Sequence, residues 1–235
     1  MTELYLIKNF LIKCVQLCIN SYEGKWGQVE KIFDKEEKHA VDNVEFSFGF
    51  IKAEPENIYI VFRGSDEPED WQRNFQFGKL TVPYDNVNPR LKVHKGFLTD
   101  YKKVRDIILE RIKKYNTVIL TGHSKGGAEA TLCAVDIQYN FNDKVIRCVP
   151  VASPRVGNKI FADSYNKRVP FTFRIVNGED FITKVPQVIF GYWHVDKLVQ
   201  IGYKNPACWI PVVRALGSLY HYPQLYLKNL IEEEI

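Results

Sequence analysis

The stretch Asn116-Thr117-Val118-Ile119-Leu120-Thr121-Gly122-His123-Ser124-Lys125-Gly126-Gly127-Ala128 decides how the chain is read. Residues 117–121 are β-branched and apolar and too few for a helix, whereas residues 128–137 are alanine-rich with apolar side chains at helical spacing. Gly-x-Ser-x-Gly thus falls on a strand-to-helix corner, the arrangement of a nucleophile elbow. Such a corner forces a strained backbone on Ser124 and lifts its hydroxyl above the sheet edge. Gly122 and Gly126 stand where any side chain would collide with a neighbouring strand or helix. A helix start with Ser124 as simple N-cap would account for the serine but not for three glycines around it.

Working outward, residues 44–53 and 57–62 alternate like paired strands around the turn Glu54-Pro55-Glu56, and the second ends in Arg63-Gly64-Ser65. A helical pattern runs from about Thr99 to Tyr115, just before the elbow strand. After the elbow helix come apolar strands at 145–152 and 171–176 and a short one at 197–201, then a terminal helix over 220–231. Strands alternating with helices predict a mostly parallel sheet flanked by helices, an α/β fold, and a single domain over residues 1–235. Residues 3–21 carry an apolar stripe, Leu4, Ile7, Leu11, Cys14, Val15 and Cys18, that is expected to pack on this domain.

With 46% hydrophobic residues the chain can bury a large core. Its 32 basic and 28 acidic residues are scattered rather than clustered on a basic face, which argues against nucleic acid as a partner. No apolar run approaches the roughly 20 residues of a membrane span. The opening apolar segment is broken by Lys8 and Lys13 and shows no signal-peptide cleavage site. The five cysteines are odd in number, and Cys133, Cys148 and Cys208 have apolar neighbours, so free thiols and a cytoplasmic, reducing location are expected. Cys14 and Cys18, one helical turn apart, have no His or second Cys pair beside them, and core packing is the better reading than a metal site.

A serine hydroxyl needs a histidine to take its proton and a carboxylate to hold that imidazole. In a parallel α/β sheet the order is Ser, acid, His, with the side chains gathered at the strands' carboxyl ends. Asp180 fits, just past the strand ending at Val176, with Glu179 as its rival. Of the two later histidines, His194 precedes the strand at 197–201 and falls at the opposite sheet edge, so His221 is the expected base. His123, inside the elbow, should point away from Ser124 and pack or cap a neighbouring loop. The oxyanion of a tetrahedral intermediate calls for the backbone N–H of Lys125 and for Ser65, at the end of an earlier strand.

Four segments in order, Val61-Phe62-Arg63-Gly64-Ser65, Val93-His94-Lys95-Gly96-Phe97, Thr121 to Ala128 around the elbow and Ala152-Ser153-Pro154-Arg155-Val156-Gly157-Asn158, make the chain resemble the class 3 lipases of the α/β-hydrolase fold. A weaker match runs from Arg174 through Asp180 to His194. The resemblance implies a cofactor-free and metal-free carboxylic-ester hydrolase acting on lipid or small ester substrates through a Ser124–His–Asp180 triad, with transient contact at a lipid surface. It implies that Ser65 and Lys125 form the oxyanion hole, that His194 is structural, and that residues 66–75 are the lid. Within that segment only Trp71 and Phe75 are large and apolar, and four of its first five residues are acidic, so weak activation at interfaces is expected. Lys125 replaces the leucine usual in the fungal enzymes. A charge then stands near the acyl cleft unless the side chain turns outward, towards Glu129 one turn on, in an exposed pair worth about 0.2–0.5 kcal/mol. A catalytically silent relative used for binding would share the fold but not an intact triad.

Overall fold

The computed structural model describes residues 3–23, 36–37, 49–53, 55–65, 78–82, 88–195, 197–202 and 220–233. Residues 66–75, the expected lid with Trp71 and Phe75, lie outside the described residues, as does Cys208.

The strands whose apolar runs stood out in the sequence line up as one sheet, joined at its edge by a two-residue strand, Glu36–Glu37, that the sequence did not mark. In chain order they are β1 (Glu36–Glu37), β2 (Gly49–Ala53), β3 (Asn57–Phe62), β6 (Thr117–His123), β7 (Val145–Val151), β8 (Arg174–Asn177) and β9 (Leu198–Ile201), and they neighbour one another in that same order. β4 (Lys79–Leu80) and β5 (Val93–His94) form a separate small pair. β1, β2 and β3 run antiparallel, and from β3 to β9 every pairing is parallel. The register sets Phe62 of β3 beside Gly122 of β6, and His123 beside Val151 of β7, which brings three strand ends to one edge around residue 124.

Both faces of the sheet are covered, so its central strands are apolar on both sides. Ile58, Ile60, Phe62, Val118 and Leu120 face a layer made by α2 (Lys95–Arg111), α3 (Lys125–Asn140) and α4 (Lys159–Arg168). Tyr59, Val61, Ile119 and Val149, the alternating set, face α1 (Glu3–Glu23) and α5 (Pro223–Glu232). The α1 stripe packs there from Ile7 onward, with Leu11, Cys14, Val15 and Cys18 fully buried, whereas Leu4 in the first turn is 53% exposed. Each fully buried aliphatic side chain contributes roughly 1.5–3 kcal/mol.

Helix α2 begins at Lys95 rather than Thr99, because the His94 Nδ1 accepts the Phe97 N–H at 3.4 Å and supplies the N-cap. Histidine is an uncommon cap and Gly96 occupies the first turn, so the pattern concealed that start. Strand β8 begins later than the apolar run at 171, where Thr172 makes only an isolated bridge to Cys148. Helix α4 passed unnoticed because it is short; its signal was Asn158, whose side chain caps it by accepting the Phe161 N–H at 3.0 Å. Cys14, Cys18, Cys133 and Cys148 are buried free thiols, and burial pushes Cys18 and Cys148 up to about 12. Among the described residues no group of three or more His, Cys, Asp or Glu is placed to hold a metal, and no helix is long and apolar enough to cross a membrane.

Candidate active site

Ser124 joins β6 to α3 with φ 57° and ψ −124°, a left-handed conformation that costs a non-glycine residue on the order of 1–3 kcal/mol. The surroundings impose it. The Ser124 N–H donates to the Val151 carbonyl at 2.9 Å, and the Gly127 N–H donates back to the Ser124 carbonyl at 3.0 Å. A Cβ on Gly122 would lie 2.8 Å from the Phe62 carbonyl oxygen, and one on Gly126 would lie 2.7 Å from the Phe62 carbonyl carbon. Both glycines are therefore what allows β3, β6 and α3 to close on one another. Ser124 is fully buried, and its Oγ has no hydrogen-bond partner among the described residues.

The acid side is assembled at the end of β8. Gly178, at φ 49°, turns the chain so that Asp180 comes to rest fully buried. Its Oδ2 accepts from His221 Nδ1 at 2.8 Å and from the Tyr226 hydroxyl at 2.6 Å, while Oδ1 accepts the Ile182 N–H at 2.9 Å. A buried carboxylate is tolerable when donors satisfy it in this way. Glu179 is directed elsewhere, to the Lys184 ammonium. Because His221 gives its Nδ1–H to Asp180, its Nε2 is left as the acceptor, and that atom is buried without a protein partner among the described residues. An unsatisfied buried polar atom costs about 1–3 kcal/mol, and here two stand on the groups that would exchange a proton.

The residues around His221 also have definite duties. His123 does turn away from Ser124: its Nε2–H donates to the His221 carbonyl at 2.7 Å, and its Nδ1 accepts from the Tyr22 hydroxyl at 2.9 Å. Burial, helped by the neighbouring His221, holds the His123 imidazole well below its usual pKa. Asn177 Nδ2 donates to the Tyr220 carbonyl at 3.0 Å, so two successive carbonyls of the base's segment are held from the sheet. His194 lies ahead of parallel strand β9, with its Nε2–H on the Thr183 carbonyl, and burial followed by Arg174 and Arg155 keeps it neutral.

The end of β3 passes directly against Ser124. A Cβ on Gly64 would sit 3.2 Å from the Ser124 Cβ and 2.6 Å from the His123 carbonyl oxygen, so Ser65 follows within the same corner. Lys125 is the first residue of α3, and the exposed surface pair expected with Glu129 is not what forms. Lys125 Nζ lies 3.0 Å from Glu129 Oε1 and 3.0 Å from Asp100 Oδ2 on α2, with the Lys125 side chain 17% exposed and that of Glu129 only 1%. The surface magnitude does not apply to such a buried group. Burial pushes Glu129 up to about 7 against the pull of Lys125. Burial lowers Lys125, yet Glu129 and Asp100 together hold it above its ordinary value.

The family profile described as lipase (class 3) matches residues 59–190, more than half of the chain. The chain belongs to the class 3 lipase family. A lipase of Rhizomucor miehei is 35% identical to it over 159 residues, which is 63% of this chain and 43% of the relative. A secreted mono- and diacylglycerol lipase of Fusarium solani is 31% identical over 146 residues, covering 58% and 41%. This chain thus spans less than half the length of these two curated relatives. The solved triacylglyceride lipase of Rhizomucor miehei superposes with a TM-score of 0.71 at 26% identity, over 86% of this chain and 82% of that one. The fold is accordingly the α/β-hydrolase fold.

In this member of the class 3 lipase family the sequence pointed to Ser124, Asp180 and His221 separately, and the structure brings Asp180 and His221 into contact beside the elbow. It did not point to Tyr226, Asn177 or Tyr22. Tyr226 is fully buried, and burial together with Asp180 holds its phenol well above the usual range, so it remains a donor. In the sequence it is one apolar position of a helix, with nothing to mark the hydroxyl.

Proposed function

We propose that this class 3 lipase hydrolyses carboxylic esters of lipid or lipid-like alcohols through an acyl-enzyme on Ser124. The observation that carries the reading is His221, tied by Nδ1 to Asp180 at 2.8 Å while its Nε2 and the Ser124 Oγ are both buried and have no hydrogen-bond partner among the described residues. In the proposed reaction Nε2 takes the hydroxyl proton as Oγ attacks the ester carbonyl, and Asp180 stabilises the resulting imidazolium. The oxyanion accepts hydrogen bonds from the Lys125 N–H and from Ser65. His221 returns the proton to the departing alkoxide, and water, activated by the same nitrogen, then releases the acid and restores the serine. Family membership, the strained elbow and the relatives' lipase activity support this reading.

The acidic composition of 66–75, with only two large apolar residues, supports brief rather than strongly activating contact with a lipid surface. The buried free thiols suit work in a reducing, cytoplasmic compartment. The test is hydrolysis of chromogenic esters of graded acyl length by the wild type and by Ser124→Ala. Wild-type turnover at least a thousandfold above the variant is expected on short and medium chains. Equal, slow hydrolysis of every ester by both proteins would leave the catalytically silent reading standing.

A further inference from the structure

The peptide that carries the proposed oxyanion donor has few ways of being held. Gly126 and Gly127 follow it and have no side chains to anchor, and Ser124 must keep its hydroxyl free for chemistry. Backbone bonds fix the elbow at the Ser124 N–H and carbonyl. In the first turn of α3 only Lys125 has a side chain that can tie the turn to its surroundings, and that side chain is engaged on two sides. Glu129, one turn on in α3, and Asp100, across on α2, each lie 3.0 Å from its ammonium. Asp100 is in turn held by Lys103 at 2.8 Å.

A buried ion group of this kind is a poor source of stability. Exchange of such groups for well-packed apolar residues is often neutral or stabilising. Burial alone raises Glu129 markedly, so the arrangement works against the carboxylate it contains. What it does supply is a fixed distance between α2 and the N-terminus of α3. Displacing a transition-state donor by about 1 Å can cost on the order of a hundredfold in rate.

We infer that the Lys125 side chain, clamped by Glu129 and Asp100, is a positioning group that holds the Lys125 N–H in line with the oxyanion. The inference rests on the proposed role of Ser124, and it concerns the transition state rather than substrate binding. Chromogenic ester hydrolysis by Lys125→Met/Glu129→Leu, with thermal melting alongside, tests it. The double variant should melt within a few degrees of the wild type and lose ten- to a hundredfold in kcat, with KM changed less than twofold. Lys125→Arg, which keeps charge and reach, should come within about threefold of wild-type kcat. Glu129→Gln preserves shape, so it gives the same reading if the double variant does not fold, and its loss should again fall on kcat alone. A folded variant with wild-type kcat, or a loss that falls on KM, overturns the clamp. Wild-type turnover no greater than that of Ser124→Ala would instead remove the reaction itself, and the clamp's role with it.

Discussion

The nucleophile corner is made from residues adjacent in the chain and fixed by backbone, whereas the acid–base side joins Asp180 to His221 across 41 positions and is fixed by side chains. At the corner, Gly122, Gly126 and Gly127 let β3, β6 and α3 approach so closely that the strained φ of Ser124 has no room to relax. On the other side Asp180, His123 and Asn177 hold the imidazole and the two carbonyls next to it, with Tyr226 as a second donor on the acid. A corner of the first kind fails by steric collision, which is abrupt. A network of the second kind fails one hydrogen bond at a time, so its losses should be graded.

The sharpest contrast comes from Gly126→Ala. Its methyl carbon would meet the Phe62 carbonyl carbon at 2.7 Å, backbone that cannot move without opening β3 from β6, and no folded, active protein is expected. Soluble Gly126→Ala with a wild-type melting curve would show that the corner has slack. On the acid side, Asp180→Asn should fold normally and lose about 10⁴ in kcat, the magnitude known for the same change in a serine protease, because the amide favours the wrong imidazole tautomer. Glu179→Gln, which loses only a partner of Lys184, should stay within twofold. Swapped outcomes in the same kinetic assay would shift the acid by one residue.

Tyr226→Phe removes one of three donors on Asp180 and leaves the other two, so a loss of about tenfold in kcat is expected with KM unchanged. A loss as large as that of Asp180→Asn would mean the network breaks as abruptly as the corner. The smallest effect is on stability and follows from His94, His123 and His194. Burial lowers all three, His94 to about 4, so between pH 6.5 and their folded values the unfolded chain binds protons that the folded chain refuses. Their contribution is therefore lost as pH falls. Glu129, raised to about 7, acts in the opposite sense, because its folded form keeps a proton that the unfolded form releases. With three groups against one, the thermal midpoint should drop by about 5 °C or more from pH 7 to pH 5. A midpoint that holds steady or rises over that range would show the histidines to be more solvated than their burial implies.

Much of this was legible in the chain because it is encoded locally. The elbow is a contiguous pattern whose residue types have steric causes, so strand, corner, helix and nucleophile could be read together. Asp180 and the choice of His221 over His194 followed from strand polarity, itself set by alternating strands and helices. Residues whose function lies in one polar atom on an otherwise apolar, buried side chain were not legible: the hydroxyls of Tyr226 and Tyr22 look like core positions. The surroundings of Lys125 were misjudged for a related reason. Spacing of i, i+4 placed Glu129 beside it, but an apolar stripe marks only a covered apolar face, and here α2 closes over a charged one with Asp100. Glycine placement and apolar periodicity act over a few residues, so most strands and helices follow from the chain alone, α4 and the first turn of α2 excepted. Which buried polar atoms meet is settled at a longer range, by how helices far apart in the chain pack on the two faces of the sheet.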